Sequence, residues 1–350
     1  MAPRSAIWKW ASIGLVVAVF LVWVQAQAVG GIAGMLQVGE SSGLRPMIEE
    51  QLDDVPLASG PGHDGQIYYA MALDLDGDEV GPLLDHAAYR YRRILYPLLG
   101  SLFGLLEGMP LLIGLIGLNV IAFAVATGYM ASMSARAGRS ELMALVVLLN
   151  PGTWLSVQLL TSDILALALM IGALELITRR ATWSGGAVFG LSALAKDVFI
   201  ATPVPLAVPN VRRRWPIAMV PIGALLAWMT LLTLMLGDGF AARGNLDWPI
   251  MGLVDASANW PVLDGKEILY LVVALAFVVV GVMFSLRRSW LRWPIASWTL
   301  LALVSSNWVW DFGNNAVRAF APIAILVALS GSQVEADAVS TSADLTTAGS

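Results

Sequence analysis

The amino-acid sequence contains no cysteine and only two histidines, His63 and His86, among its 350 residues. The lack of cysteine excludes disulfide bonds and thiolate chemistry, and two histidines are too few for a multi-histidine metal site. Charge is also scarce, since 13% of the residues are charged and 58% are hydrophobic, with a mean hydropathy of +0.74. This composition excludes a soluble domain, gives no reason to expect a nucleic-acid partner, and predicts a protein of the lipid bilayer.

Long apolar runs make up most of the chain, and a membrane-spanning helix needs about 20 mainly apolar residues. The runs that reach or approach this length are 7–28, 110–131, 141–160, 162–178, 184–209, 215–236, 267–286, 293–309 and 316–331. The first run follows Arg4 and Lys9 and therefore resembles a signal peptide. Its tryptophans, Trp8, Trp10 and Trp23, favour a retained membrane helix instead. We predict an all-α multi-pass membrane protein.

Short basic loops separate several of these runs, at positions 136–139, 179–180, 212–214 and 287–292. The positive-inside rule places such loops in the cytoplasm, together with the N-terminus. This assignment holds only if the run 184–209 enters and leaves the membrane on the same side. Lys196 and Asp197 interrupt that run, and Pro203 and Pro205 disfavour one straight helix. We therefore predict two half-helices that meet near the outer face.

The same topology leaves three segments outside: 29–109, 237–266 and 310–315. We predict one membrane domain over residues 1–331. The tail over 332–350 is rich in Ser, Thr, Ala and Asp, so we expect it to be disordered and cytoplasmic. Most of the 20 basic residues are arginine, which is typical of a GC-rich bacterial genome, and we expect a bacterial inner-membrane location.

The first outer segment is acidic, with eleven acidic and four basic residues between Val29 and Arg93. This excess suits the non-cytoplasmic side of the membrane. Residues 94–106 near its end are apolar but too short to span a bilayer. They predict an interfacial helix that lies on the membrane surface.

One carboxylate of this loop, Asp64, lies between two glycines, Gly62 and Gly65. Glycines permit a tight turn and a close approach of a ligand. The following residues, 67–73, predict a helix with an aromatic face, so Asp64 is expected at or near its N-cap. A functional carboxylate and an ordinary capping residue both fit this pattern. The acidic pair at 53–54 is the main rival site.

An arginine cluster follows in the same loop, formed by Arg90, Arg92 and Arg93. The planar guanidinium group suits bidentate binding of phosphate. Anchoring to lipid headgroups is the alternative, and it suits a cytoplasmic loop better than an outer one. The cluster therefore predicts at least one contact to a phosphate.

Two ionisable residues, Lys196 and Arg318, lie in or beside hydrophobic segments, where a charge is costly and commonly functional. The predicted topology brings both towards the outer face. Asp163 opens the run 162–178 on that side, although capping is the commoner role of such a residue. Structural ion pairs with Asp197 and Asp311 are the alternative for Lys196 and Arg318.

An acidic run, formed by Asp74, Asp76, Asp78 and Glu79, resembles a calcium-binding loop. Its glycine is misplaced and its terminal glutamate is missing, so calcium binding is disfavoured. We predict no metal ligands and no certain cofactor; a divalent metal is possible but not indicated.

These motifs together resemble the polytopic GT-C glycosyltransferases, which use polyprenyl-phosphate sugars, among them the mannosyltransferases. The resemblance extends over most of residues 1–331. It rests on His-Asp64-Gly-Gln-Ile-Tyr-Tyr, Tyr-Arg-Tyr-Arg-Arg-Ile-Leu-Tyr-Pro over 89–97, Thr-Ser-Asp163, Leu-Ser-Ala-Leu-Ala-Lys196-Asp-Val-Phe and Asn-Asn-Ala-Val-Arg318-Ala-Phe-Ala-Pro.

The resemblance implies a GT-C-like helical bundle that transfers a sugar, with inversion, from a polyprenyl phosphate to a hydroxyl of a glycan, lipid or protein acceptor outside the cytoplasm. It implies that Asp64 is the catalytic base. The residues expected to bind substrate are His63, Gln66, Tyr69, Arg90, Arg92, Arg93, Asp163, Lys196 and Arg318. Many family members carry an acidic pair where this chain has a lone Asp64, which leaves metal dependence and the acceptor class open.

Two other functions remain as alternatives. A flippase or other transporter of lipid-linked sugars would use a similar charged cavity, although such proteins usually show internal repeats, which this sequence does not. A non-catalytic relative of the GT-C proteins would use the buried charges for ion pairing alone.

Overall fold

The computed structural model describes residues 4–103, 107–237, 239–240 and 244–331. Within these ranges the chain is helical apart from turns, loops and one parallel pair of two-residue strands, β1 (Val38–Gly39) and β2 (Leu57–Ala58). The helices are α1 (Arg4–Ala28), α2 (Arg45–Gln51), α3 (Asp64–Leu73), α4 (Ala87–Tyr91), α5 (Leu95–Ser101), α6 (Met109–Arg136), α7 (Leu145–Leu148), α8 (Pro151–Gln158), α9 (Asp163–Thr178), α10 (Thr182–Ala195), α11 (Pro203–Ala207), α12 (Val211–Leu236), α13 (Met251–Ser257), α14 (Gly265–Ser285), α15 (Arg292–Leu303), α16 (Asn307–Trp310) and α17 (Gly313–Ser330).

In the described part of the chain, five helices are long and apolar enough to cross a membrane: α1, α6, α12, α14 and α17. Three of them, α1, α12 and α14, leave most of their apolar side chains uncovered. Val16 is 68% exposed, Leu234 79% and Val279 59%. Apolar surface of this extent is costly in water and suits contact with lipid chains. The chain is thus an all-helical membrane protein, as its composition predicts.

The core lies around α9, which packs against α6, α10 and α17, and these helices pack in turn against the outer helices. Small residues allow the closest contacts. A Cβ on Gly14 of α1 would lie 3.1 Å from Cα of Ala124, and one on Gly128 of α6 would lie 2.9 Å from the carbonyl oxygen of Ile7. Glycine at these positions lets α1 and α6 approach backbone to backbone, a common device in membrane helix pairs.

The predicted interruption of the run 184–209 is confirmed. Helix α10 ends at Ala195, and Lys196 is extended, with φ −155° and ψ 112°. A short 3₁₀ turn over Asp197–Ala201 and the helix α11 follow. The sides of the membrane on which the loops lie, and the positions of both termini, stay predictions.

Two other apolar runs do not form the single segments expected. The run 141–160 is divided between α7 and α8, because Asn150 caps α8 by accepting from the N–H of Gly152 at 2.9 Å and Pro151 takes the first helical position. A proline there needs no N–H partner, so the helix starts afresh. The run 293–309 is divided between α15 and α16, where the N–H of Ser306 donates to the Asn245 carbonyl at 2.9 Å.

The first outer segment folds into α2 to α5 and the short strand pair. The predicted interfacial helix 94–106 corresponds to α5, which buries Leu95 and Tyr96 and exposes Leu98 on its other face. Residues 104–106 of that prediction, and the whole tail 332–350, lie outside the described residues.

Candidate functional site

A rigid turn places Asp64 at the start of α3. Gly62 has φ +77°, and a Cβ on it would lie 2.4 Å from both the Gln37 carbonyl oxygen and the Gly39 nitrogen. Only glycine fits this position, because it combines a left-handed backbone with backbone contact on one side. The N–H of His63 donates to the same Gln37 carbonyl at 3.1 Å. The chain therefore enters α3 along a fixed path, with His63 at the N-cap position.

Gln66 serves this turn. Its amide nitrogen donates to the Pro61 carbonyl at 2.7 Å, and its amide oxygen accepts from the N–H of Gly39 at 3.3 Å. The side chain is buried, at 3% exposure. The resemblance implies a substrate contact for Gln66, whereas these bonds give it a role in fixing the loop. His63, in contrast, is exposed beside Asp64.

The carboxylate of Asp64 faces two arginines. Nη1 of Arg90 donates to Oδ1 at 2.9 Å, and Nη2 of Arg318 lies 3.7 Å from Oδ2. Burial favours the neutral carboxyl, but the charges of Arg90, Arg318 and Arg93 outweigh it and hold the pKa of Asp64 well below its usual range. Asp64 is thus ionised, and it is a weak base for as long as both arginines face it.

Arg90 also binds a second carboxylate, Asp85. Its Nε and Nη2 donate to the two oxygens of Asp85 at 2.9 and 3.1 Å, which is a bidentate arrangement. This geometry orients the guanidinium plane so that Nη1 points at Asp64. Asp85 could not be singled out from the sequence, because nothing in its spacing from Arg90 indicates a contact.

Arg318 joins the first outer segment to the membrane helices. Its Nη1 lies 3.8 Å from Oδ2 of Asp163, while Nη2 faces Asp64. Asp163, the first residue of α9, also pairs with Lys196 at the break after α10. The ion pairs are therefore different from the Lys196–Asp197 and Arg318–Asp311 pairs considered as alternatives.

The remaining two arginines reach Asp197. Nη1 of Arg92 and Nε of Arg93 lie 4.0 and 3.9 Å from its carboxylate oxygens. Nε of Arg92 donates to the Gly239 carbonyl at 3.2 Å, and the Arg93 guanidinium lies over the Tyr89 ring at 4.7 Å from its centroid.

These side chains form one group, which we call the Asp64 cluster. It consists of Asp64, Asp85, Arg90, Arg92, Arg93, Asp163, Lys196, Asp197 and Arg318. The five basic and four acidic side chains leave one net positive charge. Chain segments far apart in sequence supply them, so the fold assembles the cluster.

Two buried donors in the Asp64 cluster, Nε of Arg93 and Nη1 of Arg318, have no hydrogen-bond partner within the described residues. A buried donor left unpaired costs about 1–3 kcal/mol, and native structures contain few of them. Each lies 3.8–3.9 Å from a carboxylate, of Asp163 or Asp197, too far for a hydrogen bond, and so can donate to an anionic ligand in the Asp64 cluster. The cavity lined by Asp163 and Arg318 measures about 10 Å³, so a sugar phosphate enters only if these ion pairs open.

The tyrosine that reaches this site is Tyr68. Its hydroxyl lies 3.0 Å from Oγ of Ser162, next to Asp163, whereas the Tyr69 hydroxyl donates to the Gly108 carbonyl at 3.2 Å. The structure therefore places Tyr69 away from the Asp64 cluster. Because α3 begins at Asp64, the residue at i+4 on the same helix face is Tyr68. This spacing could have indicated from the sequence that Tyr68, and not Tyr69, lies near Asp64.

The rival acidic sites have other places in the fold. Asp53 and Asp54 are exposed. Asp74 accepts from the backbone N–H groups of Gly77, Glu79 and Val80 at 3.1, 3.0 and 2.6 Å, and so closes the turn after α3.

Protein-family models, curated proteins and solved structures give no match to this chain. The fold and the site together define an all-helical membrane protein with a dense charged cluster beside its membrane helices. The chemistry of that cluster follows from its own geometry.

Proposed function

We propose that the chain is an inverting glycosyltransferase of GT-C type that moves a sugar from a polyprenyl phosphate to an acceptor hydroxyl at the outer face of the membrane. The observation that carries this proposal is the pair of buried donors on Arg93 and Arg318 that make no hydrogen bond within the described residues, in the cluster that also holds the carboxylate of Asp64. Arginine donors bind phosphate, and a carboxylate accepts a proton.

The charge balance of the Asp64 cluster supports a phosphodiester ligand. One net positive charge matches the single negative charge of a polyprenyl-phosphate sugar. When the bond between the anomeric carbon and the phosphate oxygen breaks, the leaving phosphate gains a second negative charge. Fixed guanidinium groups at that position stabilise the developing charge in the transition state.

In the proposed reaction, the acceptor oxygen forms a bond to the anomeric carbon while the bond to the phosphate oxygen breaks on the opposite face. Asp64 takes the hydroxyl proton. Retaining glycosidases use a second carboxylate as the nucleophile, whereas a single base with a phosphate leaving group suits direct displacement and inversion.

Because the pKa of Asp64 is low in the free protein, binding of the sugar donor has a second role, which is to activate Asp64 as a base. Arg90 and Arg318 face Asp64 before a ligand arrives and keep it weakly basic. A phosphate that accepts from Arg318 draws this charge away from the carboxylate, and the pKa of Asp64 then rises towards its usual range. The base therefore becomes effective only when the donor is bound.

Transport of a lipid-linked sugar is a second candidate, favoured by the break in the helical path at Lys196. Interrupted helices with charged residues are common at transporter binding sites. Movement of the intact prenyl-phosphate sugar across a vesicle membrane, without formation of a glycoside, would support transport over transfer.

The central test uses purified full-length protein with a synthetic prenyl-phosphate mannose and an alkyl glycoside acceptor. General-base catalysis is worth about 10²–10⁴-fold, so Asp64→Asn should lower the transfer rate by about that factor while donor binding survives. Asp53→Asn is the matched control, because Asp53 is exposed and lies outside the cluster. The product should have the anomeric configuration opposite to that of the donor.

Normal transfer by Asp64→Asn, with loss on Asp53→Asn, would move the base to the rival pair. Loss of folding in Asp64→Asn would instead indicate a structural carboxylate. That variant is therefore followed by size-exclusion chromatography and thermal unfolding before its activity is measured.

A further inference from the structure

A second group of arginines lies at the other end of α9. Arg136, Arg139 and Arg179 line a cavity of about 270 Å³, together with the hydroxyl-bearing residues Ser134 and Thr178. Glu175 beside this cavity is twelve residues after Asp163, which corresponds to about 18 Å along a helix at about 1.5 Å per residue. The two charged sites are thus separate.

The charge in this second site is unbalanced. The carboxylate of Glu175 is buried and pairs with Arg136 and with Arg179, whose Nε and Nη2 donate at 3.0 and 2.6 Å. Arg139 instead donates to the Ala328 carbonyl and lies 3.4 Å from the sulfur of Met143. The site therefore contains three guanidinium groups and one carboxylate, and it carries an excess of positive charge.

An independent observation also indicates an anionic ligand. Ser134 lines the cavity at 2% exposure, and its hydroxyl has no hydrogen-bond partner in the described part of the chain. Buried hydroxyls are almost always paired, because an unpaired one costs free energy. A phosphate oxygen in the cavity would satisfy it.

The arginine site adjoins an apolar groove of about 540 Å³: Arg179 lines both, and Glu175, its ion-pair partner, lines the groove. Side chains of α6, α9 and α10 line the groove, among them Ile121, Val125, Leu165 and Val188. The groove follows α9 from Leu176 back to Leu165, or about 16 Å at the helical rise, which is about half of the hydrocarbon core of a bilayer.

We propose that this end of the molecule binds an anionic phospholipid, with its phosphate at Arg139 and Ser134 and one acyl chain in the groove. A free phosphate would use only the arginine site and would leave the adjoining groove without a function. Basic pockets between membrane helices commonly bind anionic headgroups in this way. The proposal is independent of sugar transfer, since none of these residues belongs to the Asp64 cluster.

Binding of phosphatidylglycerol and of phosphatidylcholine with identical acyl chains, measured by native mass spectrometry on the full-length protein, tests this proposal. Both lipids carry a phosphate, but the choline cation of phosphatidylcholine is repelled by the excess positive charge of the site, so we expect phosphatidylglycerol to bind at least tenfold more tightly. Arg139→Gln should abolish the preference. Arg180→Gln, an exposed arginine at the same end that does not line the cavity, should keep it.

Val125→Trp separates a lipid from a free anion. Val125 is 38% exposed and lines the groove but not the arginine site. A tryptophan there fills the groove, so it should weaken the binding of long-chain phosphatidylglycerol but not the binding of dihexanoyl phosphatidylglycerol. Full displacement of the long-chain lipid by equimolar inorganic phosphate would overturn the assignment to a lipid. Equal affinity for phosphatidylglycerol and phosphatidylcholine would overturn the site itself. So would an equal loss of the phosphatidylglycerol preference in Arg139→Gln and Arg180→Gln. If Arg139→Gln unfolds, Ser134→Ala replaces it with the same expected direction.

Discussion

The two ends of α9 carry charge in opposite ways. At the Asp163 end, the Asp64 cluster sets five basic side chains against four acidic ones, and most of them have two ionic partners. At the Glu175 end, three arginines line a cavity and one carboxylate pairs with two of them. A balanced network can exchange internal partners for a ligand and restore them afterwards, which suits turnover. An excess of one sign holds an anion continuously, which suits a resident lipid.

The comparison depends most on the two ends lying on opposite sides of the membrane. Ser59 of the first outer segment and Ser184 of α10 are both exposed, and the chain has no native cysteine. We expect Ser59→Cys to react with an impermeant maleimide only from outside intact cells, and Ser184→Cys only after the inner face is made accessible. Each variant is the control for the other. Labelling of Ser59→Cys from the cytoplasmic side alone would reverse the topology and move the Asp64 cluster inside.

Binding of a prenyl phosphate should depend on Arg318 and Lys196. Loss of one charge-assisted hydrogen bond to phosphate costs about 1.5–3 kcal/mol, or about tenfold or more in affinity. Arg318→Ala should have the larger effect, because its Nη1 makes no hydrogen bond within the described residues and lies 3.8 Å from Asp163, whereas Lys196 already donates to Asp163. Isothermal titration calorimetry in detergent measures the affinity of Arg318→Ala and Lys196→Ala for the prenyl phosphate. Arg212→Ala, at an exposed position, is the control. If both variants bind as tightly as the parent, the two residues only hold helices together.

A smaller effect should separate two adjacent tyrosines. Tyr68→Phe loses a hydrogen bond to Ser162, beside Asp163, and should lower kcat/KM for transfer about three- to tenfold, in line with about 0.5–1.5 kcal/mol for a neutral bond. Tyr69→Phe loses a bond to the Gly108 carbonyl and should change the melting temperature but not the transfer rate. An equal loss of transfer in both variants would remove the distinction between the two faces of α3.

The smallest expected effect is in the pH dependence of stability. The folded chain holds the pKa of Asp64 below its value in the unfolded chain, so the charged carboxylate stabilises the fold above about pH 4. This contribution is lost as the pH falls towards the folded-state pKa. The difference in melting temperature between the parent and Asp64→Asn should therefore be constant from about pH 7 to 5 and shrink below about 4. A difference that grows on acidification would show that the arginines do not stabilise the charged form.

Much of the fold follows from local signals in the sequence. Hydropathy predicts the membrane helices, and the Lys196–Asp197 interruption with the prolines after it predicts the end of α10, because these features act within a few residues. The divisions at Asn150 and at Ser306 were not expected. The first depends on an N-cap and a proline, and the second on a contact with Asn245, distant in sequence.

The candidate site could be predicted in its residue types but not in its pairings. Asp64, Arg318 and Lys196 are recognisable as charges in unusual surroundings, and the structure brings all three together. Their partners depend on which helices are neighbours, and sequence spacing does not contain that information. The arginine site at the far end was also unexpected, because positive loops are explained by membrane orientation alone and give no sign that they enclose a cavity.

Arg318 lies between Asp64 and Asp163, and this position has a kinetic consequence. A ligand that needs Arg318 must first separate it from two carboxylates, so the outer loop and α17 have to move before the ligand is seated. A preformed site typically has an association rate constant of about 10⁵–10⁷ M⁻¹s⁻¹, and a site that must first change conformation has a lower one. The rate of donor capture, and not only its residence time, would then be set by two ion pairs inside the protein.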